Sequence, residues 1–458
     1  MKRLGASFRD PSGFLFVNHQ GALYRQINPV YEGHYRLLMS SGLYSELASD
    51  GLLVEHEEVD AAVAPGRSAS FVIRPRRLPF ISYPYEWTFG QLKAAALLTL
   101  RIQRLALERG MWLKDASAYN IQFDGWRPIL VDTLSFETYQ EGKPWPAYRQ
   151  FCEHFLAPLA LMSCTGSAFH RFLRVHLDGI PLENASRLLP TRTLLRPGLA
   201  THLHLHSMAQ KRFSDGGRQK SGGFSRNALC GLINSLESAV SKQNWRPKGT
   251  VWADYYDNTN YGREAFEHKR QLVGEFVSLV TPAPQLAWDF GANTGLYSRL
   301  LAERGILTIS FDSDIACVEQ NYLEAVKEKN RLVLPLVMDL ANPSPALGWA
   351  HEERESLLQR GPADLLVALA LVHHLAIGHN VPLERLAEFF ASCARFLIVE
   401  FVPKSDSQVQ RLLRGREDVF PDYTEENFIG EFGKHFTVLR VEEIKQSTRK
   451  LYLMKTKG

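Results

Sequence analysis

The stretch Leu286-Ala-Trp-Asp-Phe-Gly-Ala-Asn-Thr-Gly-Leu-Tyr297 decides how the C-terminal half of the chain folds. An apolar run ends in Asp289, and Gly291 and Gly295 follow before a helix that is predicted to begin near Tyr297. Glycine has no Cβ, so the backbone can turn sharply there and a ligand can approach it closely. The N–H groups at the start of a helix attract electronegative or anionic groups. The pattern Asp-x-Gly-x-x-x-Gly therefore predicts a ligand-binding turn, and it differs from the glycine spacing of dinucleotide folds and of P-loops.

Strand and helix patterns alternate beyond this turn. Apolar runs of strand length predict strands over residues 286–289, 306–311, 332–337, 364–370 and 396–401, and the segments between them predict helices over 297–304, 315–328 and 382–395. Such a series predicts a doubly wound parallel sheet, because right-handed crossovers bring the carboxyl ends of the strands to one edge. Sheets of this kind bind ligands at that edge.

Polar residues follow the predicted strands at this edge. In chain order they are Asp289, Asp312, Asp339, the pair His373 and His374, and Glu400. With the glycine turn, they resemble the site of class I S-adenosylmethionine-dependent methyltransferases, over residues 251–458. The resemblance implies a Rossmann-like sheet with antiparallel final strands near residues 436–440 and 450–455. It also implies S-adenosylmethionine as cofactor, bound by Asp289, Gly291, Ala292, Asn293, Gly295, Asp312 and Asp339.

The resemblance assigns separate roles to the cofactor and acceptor sides. Asp312 would accept both ribose hydroxyls, and Asp339 would accept the adenine amino group. Residues 252–261 would form part of a cofactor cover, or else precede an ordinary packed helix. Methyl transfer mainly requires that two partners be positioned and a proton be removed, and histidine titrates near neutral pH. We therefore expect His373 or, preferably, His374 to be the base or substrate orienter, with Glu400 as a further catalytic candidate; the alternative is a histidine that caps the turn.

The first 200 residues predict a separate α+β domain. Residues 14–27 indicate a β-hairpin, residues 31–49 a helix interrupted at Gly42, and residues 52–59 and 70–74 further strands. Thr88 and Gln91 predict a capping box at the start of a long helix that Gly110 ends. Asp115, Asn120 and Asp132 then stand on a loop and at the end of the next predicted strand.

These three polar residues resemble the catalytic loop and metal-binding strand of the protein-kinase-like fold, closest to the aminoglycoside phosphotransferase branch. The resemblance implies Asp115 as base and Asn120 and Asp132 as ligands of Mg-ATP. The sequence departs from the pattern: Leu113 replaces the expected histidine, no glycine-rich phosphate loop is visible, and Arg25 is the nearest candidate for the strand lysine. We therefore expect a degenerate kinase-like domain, with an active phosphotransferase as the alternative.

Residues 201–250 are predicted to join the two domains through a linker and a short helix. Residues 211–226 are basic and poor in apolar side chains, which is typical of a flexible loop. His202, His204 and His206 alternate with leucines, but no further ligand with motif spacing accompanies them, so we expect no metal site.

Composition limits the remaining possibilities. A chain of 458 residues with 45% hydrophobic and 22% charged residues predicts a globular protein of two or three domains. The net charge of +4 does not by itself indicate a nucleic-acid or membrane partner, so we expect neither. Five widely spaced cysteines predict reduced thiols in the cytoplasm, and the longest apolar runs, such as residues 365–372, are too short to span a bilayer. We expect a methyltransferase with a small-molecule or glycan acceptor and an accessory kinase-like domain. The alternatives are a bifunctional phosphotransferase-methyltransferase and a non-catalytic scaffold.

Overall fold

The computed structural model describes residues 1–66, 68–208, 224–247, 262–414 and 417–457. The chain divides into two compact units. The first comprises Met1–Arg246 together with Ala346–Arg354, and the second comprises Pro247–Pro345 together with Glu355–Gly458. The expected cofactor cover at residues 252–261 and most of the expected basic loop lie outside the described residues.

The first unit contains a five-stranded antiparallel sheet in the order β1-β2-β3-β5-β4. Its strands are β1 (Lys2–Arg3), β2 (Gly13–Val17), β3 (Leu23–Ile27), β4 (His56–Val59) and β5 (Phe71–Pro75). The predicted hairpin is confirmed by the pairing of β2 with β3. The predicted helix after it is two helices, Glu32–Ser40 and Leu43–Ser49, because Gly42 between them has a φ of 79°.

A long helix, Phe89–Glu108, follows this sheet and confirms the predicted capping box. The Thr88 hydroxyl accepts the Gln91 N–H at 3.3 Å, and the Gln91 side chain accepts the Thr88 N–H at 3.0 Å. Two short strand pairs come next, β6 (Met111–Leu113) with β9 (Phe136–Thr138), and β7 (Ile121–Asp124) with β8 (Arg127–Leu130). Further α-helices among the described residues of this unit are Tyr148–Phe151, Ala157–Cys164, Phe172–Val175, Leu182–Leu188, Pro197–Leu199 and Arg226–Ser241, and π-helical turns span Cys152–Leu156 and Ala200–Leu205.

The helix Arg226–Ser241, which was expected beside a linker, packs within the first unit. The Lys93 ammonium, on the helix Phe89–Glu108, donates to the carbonyls of Ser241 and Gln243, both at 2.8 Å. The segment Ala346–Arg354 also belongs to this unit, where the Arg354 guanidinium lies 4.2 Å from the ring centre of Tyr119. The first unit therefore includes residues far apart in sequence.

The second unit is built on a seven-stranded sheet in the order β12-β11-β10-β13-β14-β16-β15. The strands are β10 (Leu286–Phe290), β11 (Leu307–Asp312), β12 (Val333–Val337), β13 (Ala363–Ala368), β14 (Ala394–Phe401), β15 (Phe436–Glu443) and β16 (Lys450–Thr456). The first five are parallel, and β16 pairs antiparallel with both β14 and β15. The predicted doubly wound sheet and its antiparallel final strands are confirmed.

Helices cover this sheet and bury its apolar strands. They are Arg263–Leu279, Leu296–Ala302, Ile315–Glu328, Leu383–Cys393, Ser407–Leu413 and Glu425–His435. Val273 and Phe276 of the first of these helices share a buried cluster with Ala287, Leu365 and Ile398 of three strands. Strands buried in this way read as continuous apolar runs, which is why their positions were visible in the sequence. Across the described part of the chain, no helix combines the length and apolarity that a membrane crossing requires.

Candidate functional site

The glycine turn lies between β10 and the helix Leu296–Ala302. Gly291 and Gly295 have φ angles of 72° and 82°, in the left-handed region that favours glycine. A Cβ at Gly295 would collide with the side-chain amide of Asn321, and a Cβ at Gly291 would lie 3.2 Å from the Leu371 side chain. The turn therefore requires glycine at both positions, and it exposes backbone where a side chain would otherwise stand.

Asp312 connects this turn to the end of the neighbouring strand β11. Its Oδ2 accepts the Asn293 N–H at 2.8 Å, and its Oδ1 accepts the Asp314 N–H at 2.9 Å. Burial raises the pKa of Asp312, and the hydrogen bonds from these two N–H groups act in the opposite direction. Each carboxylate oxygen has a second lone pair. The carboxylate, which is only partly buried, can therefore still accept hydroxyl donors at this edge.

Asp289 lies in β10, just before the turn, and is almost completely buried. It accepts the Ser298 hydroxyl at 2.6 Å, which is also 2.9 Å from the Ser310 hydroxyl, and the Asn321 amide donates to Ser310 at 2.8 Å. Burial raises the pKa of Asp289 to about 7. These contacts connect the end of β10 to the helix Leu296–Ala302, so Asp289 stabilises the turn between them.

Asp339 lies two residues beyond β12 and is partly buried. Its Oδ1 accepts the Ala341 N–H at 3.0 Å. The Met338 N–H donates to the Asp312 carbonyl at 2.8 Å, which extends the pairing of β12 with β11 up to this point. The sheet thus brings Asp339 to the same edge as Asp312 and the glycine turn.

The histidine pair follows β13, and its two rings are 4.2 Å apart. His373 is 1% exposed, and among the described residues its Nδ1 has no hydrogen-bond partner. Burial, with contributions from Arg449 and His379, lowers the pKa of His374 to about 4. Burial also lowers the pKa of His373, with His374, Arg449 and Lys269 contributing. These pKa values differ from the titration near neutral pH that we expected from the sequence, because burial disfavours the charged imidazole. Both imidazoles are therefore neutral at pH 7 and can accept a hydrogen bond from an acceptor hydroxyl or amine.

Glu400, at the end of β14, is completely buried and forms several strong contacts. Its Oε2 lies 2.6 Å from the Lys269 ammonium and accepts the Ala370 N–H at 2.7 Å, and its Oε1 lies 3.5 Å from the Arg449 guanidinium. Arg449 also forms two contacts with Asp406, at 2.7 and 3.0 Å. The catalytic role of Glu400 remains a prediction, and these contacts are those of a residue that positions others.

Sequence reasoning did not assign a function to Lys269, Arg449 or Asp406. The only visible signal was a lysine at a position of the helix Arg263–Leu279 that the helical periodicity directs towards the core. Arg449 and Asp406 stand outside any motif, and each lies next to a strand or helix end.

The first unit brings Asp115, Asn120 and Asp132 into one cluster. Asp115 accepts the Ser117 N–H at 2.9 Å, and burial and the neighbouring Asp132 raise its pKa. The Arg25 guanidinium lies 2.8 Å from Asp132 and 2.7 Å from Asp10, and it is itself buried.

Hydrogen bonds complete this cluster. Ser135 donates its hydroxyl to Asp132 at 2.8 Å and lies 3.2 Å from the Asn120 amide. To bind magnesium, Asp132 would have to replace its contact with Arg25 by one with the metal ion. These contacts therefore favour a hydrogen-bonded scaffold over a metal site. The ranges described contain no group of three potential metal-ligating side chains.

His202 and His204, two of the three alternating histidines, use both ring nitrogens in hydrogen bonds. His202 contacts the hydroxyls of Tyr148 and Ser235, both at 2.8 Å. His204 contacts the hydroxyls of Ser186 and Thr193, at 2.7 and 2.9 Å. The three histidines lie on a helical segment, and His202 and His204 are buried.

Comparison with known proteins shows a relative that is similar along nearly the whole chain. Nodulation protein NoeA of Rhizobium meliloti (strain 1021) is 35% identical over 459 residues, which cover 98% of this chain and 95% of NoeA. The chain belongs to the NoeA family. No protein-family model matches the sequence.

The solved structures that are similar to part of this chain are more distant from it than NoeA is. Magnesium protoporphyrin IX methyltransferase from Synechocystis PCC 6803, with bound SAH, is 20% identical and covers 45% of this chain and 92% of its own, with a TM-score of 0.32. WbdD is 15% identical and covers 47% of this chain and 46% of its own, also with a TM-score of 0.32. A SAM-dependent methyltransferase from Aquifex aeolicus is 16% identical and covers 45% of this chain and all of its own, with a TM-score of 0.31. At these TM-scores the similarities decide neither the reaction nor its substrates.

Proposed function

We propose that this NoeA-family protein is an S-adenosylmethionine-dependent methyltransferase whose second unit carries the site. The observation that supports this most directly is the position of Asp312. Its carboxylate lies at the carboxyl edge of a seven-stranded doubly wound sheet, bound to the backbone of the glycine turn at 2.8 Å. A carboxylate held beside a glycine turn suits a ligand with vicinal hydroxyls, which the adenosyl ribose provides.

The residues at this edge fit the cofactor in the order that the sheet imposes. Gly291, Ala292, Asn293 and Gly295 form the turn against which the methionine end would lie, with Asp289 stabilising it. Asp312 would accept the ribose hydroxyls, and Asp339 would accept the adenine amino group. When bound, the cofactor supplies an activated methyl group, so the protein has mainly to position the acceptor.

His373 and His374 are the proposed acceptor-side residues. A neutral imidazole accepts a hydrogen bond from the O–H or N–H of the acceptor and can receive its proton as the new bond to the methyl group forms. Glu400 would act on this side through the residues that it holds. The acceptor is proposed to be a small molecule or a glycan, with the first unit as a kinase-like accessory domain in the cytoplasm.

Isothermal titration of the purified full-length protein with S-adenosylmethionine and with S-adenosylhomocysteine tests the proposal. We expect saturable binding of both ligands with one site per chain. A chain that binds neither ligand would leave the scaffold alternative as the better explanation. Acceptor candidates can then be screened with cofactor carrying a labelled methyl group.

A further inference from the structure

Lys269, Glu400, Arg449 and Asp406 form a group of four charged residues in the second unit. Lys269 and Glu400 form an ion pair at 2.6 Å with 6% and 0% of their side chains exposed, and Arg449 bridges Glu400 and Asp406. Two cations and two carboxylates give the group no net charge. Ion pairs buried to this degree contribute little net stability compared with apolar residues of similar volume. A contribution to stability therefore does not explain why this group is present.

Glu400 also contacts the backbone at the start of residues 370–374, which we call the histidine turn. Ala370, two residues after β13, has a φ of 50°, and its N–H donates to the Glu400 carboxylate at 2.7 Å. The left-handed conformation is unfavourable for a residue with a Cβ. A short hydrogen bond to a charged acceptor offsets this cost. His373 and His374 follow Ala370 by three and four residues, so the conformation of Ala370 affects the direction in which the chain reaches them.

We propose that Lys269, Glu400 and Arg449 are positioning residues that set the histidine turn through the Ala370 N–H. Lys269 and Arg449 hold the Glu400 carboxylate from two sides, and the carboxylate holds Ala370 in its left-handed conformation. The role of this turn in placing the methyl acceptor rests on the proposed function, whereas the coupling between the four-residue group and the turn does not.

The charges around the histidines agree with this assignment. Besides burial, Arg449 and Lys269 lower the pKa of His373, and Arg449 lowers the pKa of His374. The same Lys269 ammonium lies 5.4 Å from the ring centre of Tyr297, at the start of the helix after the glycine turn. One lysine thus contacts elements on both the cofactor side and the acceptor side of the edge.

Two double variants separate the hydrogen bond from the charge. Lys269→Met with Glu400→Gln removes the ion pair but keeps a carbonyl oxygen that can accept the Ala370 N–H. Lys269→Met with Glu400→Leu removes the same charges and the acceptor as well. Both variants replace a buried ion pair with neutral groups, which proteins tolerate better than the loss of one partner. Arg449 keeps Asp406 as a partner in both.

Hydrogen exchange of the full-length protein, followed by mass spectrometry, measures the turn directly. In the Leu variant we expect the segment containing Ala370 to His374 to exchange about tenfold faster than in the wild type, since loss of about 1.4 kcal/mol corresponds to a factor of ten. The Gln variant should restore most of the protection. Exchange over β10 and β11 serves as the internal reference for overall stability.

Histidine Cε1–H resonances provide a second readout that a loss of stability alone would not move. The signals of His373 and His374, assigned by single substitutions, should shift in the Leu variant and return towards wild-type positions in the Gln variant. Equal exchange and equal resonances in the two double variants would overturn the positioning role. Failure of the wild type to bind S-adenosylmethionine would instead refute the proposed function and leave this comparison decisive for the turn.

Discussion

Asp312 provides the sharpest test of the proposed cofactor site, because a matched aspartate exists at the other edge of the same sheet. Asp312 accepts two backbone N–H groups at the carboxyl end of β11. Asp364 accepts the N–H groups of Gln285 and Leu286, at 2.9 and 3.0 Å, at the amino end of β13. Alanine at Asp312 leaves two N–H groups without their acceptor, which we expect to cost about 2–4 kcal/mol of stability. Alanine at Asp364 also removes an ion pair with Arg395, but the Gln285 N–H is at an exposed position, so we expect a smaller cost of about 1–3 kcal/mol.

The two substitutions should differ in cofactor affinity. A hydrogen bond to a charged group contributes about 1.5–3 kcal/mol, and Asp312 is proposed to make two such bonds to the ribose. Asp312→Ala should therefore weaken S-adenosylmethionine binding by about 3 kcal/mol or more, which is at least ~100-fold. Asp312→Asn keeps one carbonyl oxygen and should weaken binding by roughly 10-fold. Asp364→Ala should leave the affinity within about 3-fold of the wild type.

Isothermal titration measures these affinities, and denaturant unfolding measures the stabilities. Destabilisation in both Asp312→Ala and Asp364→Ala, with a loss of affinity confined to Asp312, is the expected result. Wild-type affinity in Asp312→Ala would refute the site. Equal losses of affinity in both alanine variants would mean that binding reports only the integrity of the sheet.

Three further predictions concern other parts of the molecule. Gly295→Ala should destabilise the second unit by about 2–4 kcal/mol in denaturant unfolding. Gly295 has a positive φ, and the side-chain amide of Asn321 leaves no room for a Cβ there. An unchanged unfolding midpoint would contradict this geometry. Burial lowers the pKa of His154 to about 3 and that of His374 to about 4, so below about pH 6.5 the unfolded chain binds protons that the folded chain does not. The free energy of unfolding should therefore be highest above about pH 6.5 and fall by up to about 1.4 kcal/mol per histidine for each pH unit below it. His154→Gln should reduce this slope when unfolding is measured from about pH 7.5 to about pH 5. Titration with Mg-ATP should give no saturable heat, because Arg25 already neutralises Asp132, and saturable binding would favour the phosphotransferase alternative.

The sequence predicted the second unit well because its signals are local. Buried parallel strands read as apolar runs, and each ends at a polar residue or a glycine turn within a few positions. Since right-handed crossovers place these ends together, the shared edge of Asp289, Asp312, Asp339 and the histidine pair followed from the order of elements alone. The capping box at Thr88 was visible for the same reason.

The state and surroundings of these residues depended on tertiary structure. Lys269 and Glu400 lie 131 residues apart, and their ion pair exists because the helix Arg263–Leu279 packs across the sheet. Arg25 reaches Asp132 only because the five-stranded sheet of the first unit brings β3 to the loop after β8. Sequence determined which side chains stand at strand ends; the packing of distant elements decided which are buried, paired and neutral, because burial and charge pairing depend on neighbours that the local pattern does not specify.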